Sequence, residues 1–67
     1  MSAFATSILK TFATNPFQPL NYKQIASRLG ITDKGSKEMI KNHLQQMFEN
    51  DIIEQTDRGK YKLNPKY

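Results

Sequence analysis

Lys37, Lys41 and Gln45 stand four residues apart in "SKEMIKNHLQQMFEN", one helical turn from each to the next. Near the other end of the chain, Arg58, Lys60 and Lys62 alternate with Gly59, Tyr61 and Leu63 in "DRGKYKLNP". Long cationic side chains at these spacings can reach phosphate oxygens, and the amide of Gln45 can also reach base edges. Alternation with period two belongs to a strand with one face on a core and the other in water. Lys60 and Lys62 would then stand together outside, while Tyr61 and Leu63 hold the strand down. A plainer reading exists for both groups, since a helix needs a solvated face and lysines on an edge strand discourage edge-to-edge pairing.

Catalytic chemistry has no comparable support. The carboxylates are scattered, and no motif gives Ser or His a third partner. His43 is the single histidine, and the chain has no cysteine, so a zinc-type site lacks ligands and His43 is expected to be packed or half-buried. "KGSK" at 34–37 lacks the spacing of a phosphate-cradling loop. The rings of Phe12, Phe17, Tyr22, Phe48 and Tyr61 could stack on bases, but their spacing assigns them to the core. A binding protein without a cofactor of its own is therefore the expectation.

Composition narrows the partner. Ten Lys and Arg against six Asp and Glu leave a net charge of +4 and a pI near 9.6. That balance favours a polyanion, nucleic acid before membrane, although a basic surface also serves solubility alone. Sixty-seven residues make one domain that buries only about 60% of its unfolded surface. The absence of cysteine suits a reducing compartment. The opening "MSAFATSILKTFATNPF" has neither a basic leader followed by an apolar run nor anything near the length of a membrane span. A cytoplasmic, monomeric protein is expected.

The elements that must position the cations follow from periodicity and punctuation. Ala5, Ile8, Leu9, Phe12 and Ala13 form one stripe of a first helix over 3–14. Asn15-Pro16 stops it, and "NPFQP" is expected to run extended to Leu20. Asn21 caps a second helix, with Gln24 completing a capping box, and Tyr22, Ile25, Ala26 and Leu29 face inward. Gly30 ends this helix and Ile31 turns back to the core. After the turn "TDKGS", either Asp33 or Ser36 caps the longest helix, taken to run from Ser36 to about Asn50. Ile40, Leu44, Met47 and Phe48 make its core face, and Lys37, Glu38, Lys41, Asn42, Gln45 and Gln46 the other. Ile52–Thr56 and Lys60–Asn64 are strands joined by a tight turn in which Gly59 supplies positive φ.

Three helices followed by a β-hairpin is the order of a winged helix-turn-helix, a mainly α fold with a small C-terminal wing. Ala26 and Gly30 suit it, as a small residue for a close helix crossing and a glycine for the joint. "TDKGS" is longer than the tightest such joints, which leaves the aim of Lys34 and Lys37 open. Within this pattern, "NPFQPLNYKQIASRLGITDKGSKEMIKNHL" followed by "DIIEQTDRGKYKLNP" resembles the amino-terminal winged-helix segment of the ribonuclease R family, RNB-type 3′→5′ exoribonucleases, over about residues 8–65. A single domain over 1–67, ordered from about 4 to 65, is expected from length and pattern, and the resemblance implies that it stands at the front of a longer enzyme. It implies that the catalytic domain, with its metal-binding aspartates and Mg, lies elsewhere, and that this piece engages RNA without cutting it. The residues expected to touch nucleic acid, RNA before DNA, are Lys34, Lys37, Lys41, Gln45, Arg58, Lys60 and Lys62. The rival readings are a DNA-binding transcription regulator, which would need a dimerisation surface, and a winged-helix module that docks to proteins.

Overall fold

Five elements follow one another in the computed structural model, which describes residues 2–67: α1 (Ala3–Thr14), α2 (Tyr22–Leu29), α3 (Lys34–Glu49), β1 (Ile53–Asp57) and β2 (Lys60–Leu63). This is the winged helix-turn-helix order expected from the sequence. Ile8 and Phe12 of α1, Leu20 just before α2, Ile25 and Ala26 of α2, Ile40, Leu44 and Met47 of α3, and Ile53 of β1 form one buried cluster.

Ser2 caps α1 by accepting the Ala5 N–H at 3.1 Å. The buried stripe centres on Ile8, so Ala13, more than a quarter-turn away, is exposed and not part of it. Thr11 fills the opposite flank, its hydroxyl donating to the Ser7 carbonyl at 3.0 Å. The segment after α1 is not simply extended. The Gln18 N–H donates to the Asn15 carbonyl at 3.0 Å, closing a turn with Pro16 in its second position. Phe17 therefore projects from the turn and is 83% exposed, not in the core where its spacing had put it.

The capping box of α2 is complete: Asn21 Oδ1 accepts the Gln24 N–H at 2.9 Å, and Gln24 Oε1 accepts the Asn21 N–H at 2.8 Å. Gly30 closes the helix at φ 70°, letting the Ile31 N–H reach the Ala26 carbonyl at 2.8 Å. The next cap is Asp33, whose Oδ2 accepts the Ser36 N–H at 2.8 Å, so α3 begins at Lys34, ahead of the expected Ser36. Its far end closes with the same pair of bonds as α2, from Asp51 N–H to Phe48 and from Ile52 N–H to Met47. Here the left-handed residue is Asp51, at φ 59°.

One further core assignment and one strand boundary change in degree. Phe48 is 37% exposed, its ring tilted against Tyr61 at 5.8 Å between centroids. Ile52 belongs to the helix closure, and the strand starts at Ile53. The strands are antiparallel, with Ile53 opposite Leu63, Glu54 opposite Lys62 and Gln55 opposite Tyr61, and the register slips by a residue before Asp57 meets Lys60. Gly59 turns the hairpin at φ 73°. On the far side of β2, Leu20 forms a one-residue antiparallel bridge, donating to the Tyr61 carbonyl at 2.7 Å and accepting the Tyr61 N–H at 3.0 Å.

Candidate nucleic-acid interface

On α3 the helical period puts Lys34, Lys37, Lys41 and Gln45 on one stripe. Lys34 is exposed at the first turn, and Lys37 is half-buried near the Asp33 cap. The Ser36 backbone N–H, the Ser36 hydroxyl and, more weakly, the Lys37 charge hold the Asp33 carboxyl below the usual carboxylate range. Asp33 thus stays ionised at neutral pH and fixes the start of the helix that carries the stripe. The ammonium of Lys41 lies 3.3 Å from Glu38 Oε1 and 4.5 Å from the centre of the Tyr22 ring. Gln45 Nε2 donates to Glu49 Oε2 at 3.2 Å, and among the described residues its carbonyl oxygen has no hydrogen-bond partner and remains an acceptor.

On the wing, Arg58 and Lys60 are exposed on either side of Gly59. The Asp57 carboxylate accepts the Arg58 backbone N–H at 2.7 Å, so it stiffens the turn. Lys62 departs from the expectation that it stands outside beside Lys60. It is half-buried, and its ammonium sits 2.6 Å from Glu54 Oε1 on the facing strand. Directly opposed residues of an antiparallel pair bring their side chains within reach, and these two carry opposite charges. Lys62 is thereby neutralised within the wing. Among the described residues, Lys34, Lys37, Arg58 and Lys60 take part in no ion pair.

The edge-protection reading of the lysines also weakens. β2 is flanked by β1 and, at Tyr61, by Leu20, so the open edge of the hairpin is β1. That edge is guarded by Glu54, Asp57 and the register slip rather than by lysine.

Helix and wing meet across an open cleft of about 320 Å³ lined by Tyr22, Lys41, Leu44, Gln45, Gly59 and Tyr61. No family model, curated protein or solved structure matches this chain. The chemistry of the interface therefore rests on its own residues. Lys41 and Gln45 line the cleft and Gly59 brings Arg58 and Lys60 to its border, whereas Lys34 and Lys37 extend the stripe beyond it and Lys62 is withdrawn.

Sequence reasoning missed the cleft because it assigned Tyr22 and Tyr61 to the core. Both are half-buried and line the open cleft. The available signal was the position of Tyr22 just after the Asn21 cap, where a helix is still at the molecular boundary. His43 is half-buried, with Nδ1 2.8 Å from the Met39 carbonyl and its ring edge-on to Phe4 at 5.2 Å, a packing arrangement. Among the described residues no group of three or more His, Cys, Asp or Glu side chains could hold a metal ion, and no helix is long and apolar enough to cross a membrane.

Proposed function

We propose that this chain is a nucleic-acid-binding winged helix that engages RNA through the α3 stripe and the wing tip, in the manner of the amino-terminal segment of ribonuclease R-type exoribonucleases. The observation that carries the reading is the arrangement of free cations: among the described residues, Lys34 and Lys37 on α3 and Arg58 and Lys60 at the wing tip are unpaired, while Lys62 and Lys41 have carboxylate partners. Such cations, exposed except for the half-buried Lys37, on two elements that border one cleft suit a phosphate backbone passing between them. The net charge of +4 agrees in sign. On this reading the chain is cytoplasmic and monomeric, and holds RNA for a catalytic domain elsewhere that supplies the metal-binding aspartates.

Fluorescence anisotropy against a structured RNA and a matched DNA duplex, over a salt series, tests it. Binding should favour the RNA and weaken with salt along a log–log slope of about −3 to −4, as displacement of counterions from some four phosphates requires. Changing Lys37, Lys41, Arg58 and Lys60 together to Ala should flatten that slope. Absence of binding to either probe at low salt would sink the proposal.

One observation favours a protein-docking role instead. Phe17 and Tyr67, 83% and 63% exposed, flank a shallow depression lined also by Pro16, Leu63 and Pro65. Apolar rings grouped at the surface are a feature of contact sites. Failure of nucleic-acid binding would turn attention to that face.

A further inference from the structure

We propose that the cleft between α3 and the wing takes a single unpaired nucleotide of RNA, its base against the Tyr22 ring and its phosphate on Lys41. The inference rests on the nucleic-acid reading above and specifies what that surface selects. The cleft has an apolar floor, made by Leu44 and the rings of Tyr22 and Tyr61, and a polar rim made by Lys41 and Gln45. The remaining wall is the backbone of Gly59, where no side chain blocks approach. At about 320 Å³ it lies at the lower end of small-ligand sites, room for one planar group and not for a duplex.

Lys41 makes the site exchangeable. Its ammonium covers the Tyr22 ring at 4.5 Å and pairs with Glu38 at 3.3 Å, and both contacts are solvent-exposed and individually weak. A base that displaces the ammonium from the ring brings a phosphate with it, so the charge moves from one partner to another and is not stranded. Gln45, with its carbonyl oxygen unengaged, faces the base edge. Bases in an intact RNA duplex are out of reach, because the A-form major groove is deep and narrow, whereas an unpaired base can be splayed out and stacked on an aromatic ring. The two parts of the surface then have different tasks: free cations hold any backbone, and the cleft discriminates interrupted from continuous pairing.

The test compares two RNA hairpins that differ by one bulged nucleotide, 2-aminopurine, by anisotropy and by the fluorescence of that base. The bulged hairpin should bind about tenfold more tightly, with its fluorescence quenched by stacking. Tyr22→Leu, which keeps an apolar side chain of similar reach, should bring the bulged hairpin to the affinity of the paired one and leave the paired one unchanged. Gln45→Ala, at an exposed position that cannot unfold the domain, should reduce the preference by a smaller factor. Equal affinity for the two hairpins, with unquenched 2-aminopurine, would overturn the cleft and leave the nucleic-acid reading standing. An equal loss on both hairpins in Tyr22→Leu would make that ring a packing element and overturn its role. Competition by adenosine monophosphate at concentrations near that of the RNA would make this a free-nucleotide site, also against the proposal. No binding of either hairpin at low salt removes both readings together.

Discussion

At the base of the wing, Ile53 is buried opposite Leu63, and Tyr61 exchanges both backbone hydrogen bonds with Leu20. At the tip, a few residues away on the same strands, Arg58, Gly59 and Lys60 are exposed and meet the helices only across the open cleft. A two-stranded hairpin is marginal alone in water, so its order must come from the base. The structural duties of the tip fall to its backbone, in the positive φ of Gly59 and the Arg58 N–H held by Asp57. Its side chains are free to carry charge, which makes stability and binding separable along one strand.

The comparison breaks most severely at Leu20, which is fully buried and supplies the outer bridge. Leu20→Ala should cost about 2–5 kcal/mol in urea unfolding, a large part of the stability of a chain this size. A loss below about 1 kcal/mol would mean that the wing is held in another way. At the tip, Arg58→Ala together with Lys60→Ala should leave the melting temperature essentially unchanged while lowering the magnitude of the salt slope for a structured RNA by about 2. A fall in thermal stability would show that the tip is not free.

Asp51 sharpens the contrast from the hinge between α3 and the wing. It occupies the left-handed position that Gly30 fills at the end of α2, at the helix terminus where a negative charge is also unfavourable. Asp51→Gly should stabilise the domain by about 0.5–1 kcal/mol without altering RNA affinity. Acid should loosen the start of α3 before the wing base. The pKa of Asp33 is lowered in the folded chain, so its contribution is present above the unfolded pKa and is lost as pH falls through the folded value. In Asp33→Asn, that segment of the pH–stability curve should flatten. The smallest effect belongs to Lys62→Met: its exposed partner makes this a surface pair, and the change should stay within about 1 kcal/mol either way.

The legibility of the sequence follows the same division. The Asn21–Gln24 box, the Gly30 closure and the Gly59 turn were readable because each depends on residues a few positions apart. So was the stripe of Lys37, Lys41 and Gln45, which is a matter of helical period. The environments of Phe17, Lys62 and Leu20 depend on groups brought together by the fold. Phe17 looks like a core ring until the Asn15–Gln18 turn aims it outward, and Lys62 looks like a free cation until the register sets it against Glu54. The cleft was illegible for the same reason, since its walls come from α2, α3 and the hairpin.

The bridge between Leu20 and Tyr61 has a consequence for the order of folding. It ties the segment between α1 and α2 to the last strand, so the wing cannot settle until the chain on both sides of α3 has been gathered in. The Leu20 and Tyr61 amides, which donate to each other's carbonyls, should then exchange with solvent deuterium as one cooperative unit, slowly and at matching free energies. The exposed amide of Gly59 should exchange far sooner, in openings that leave that unit closed.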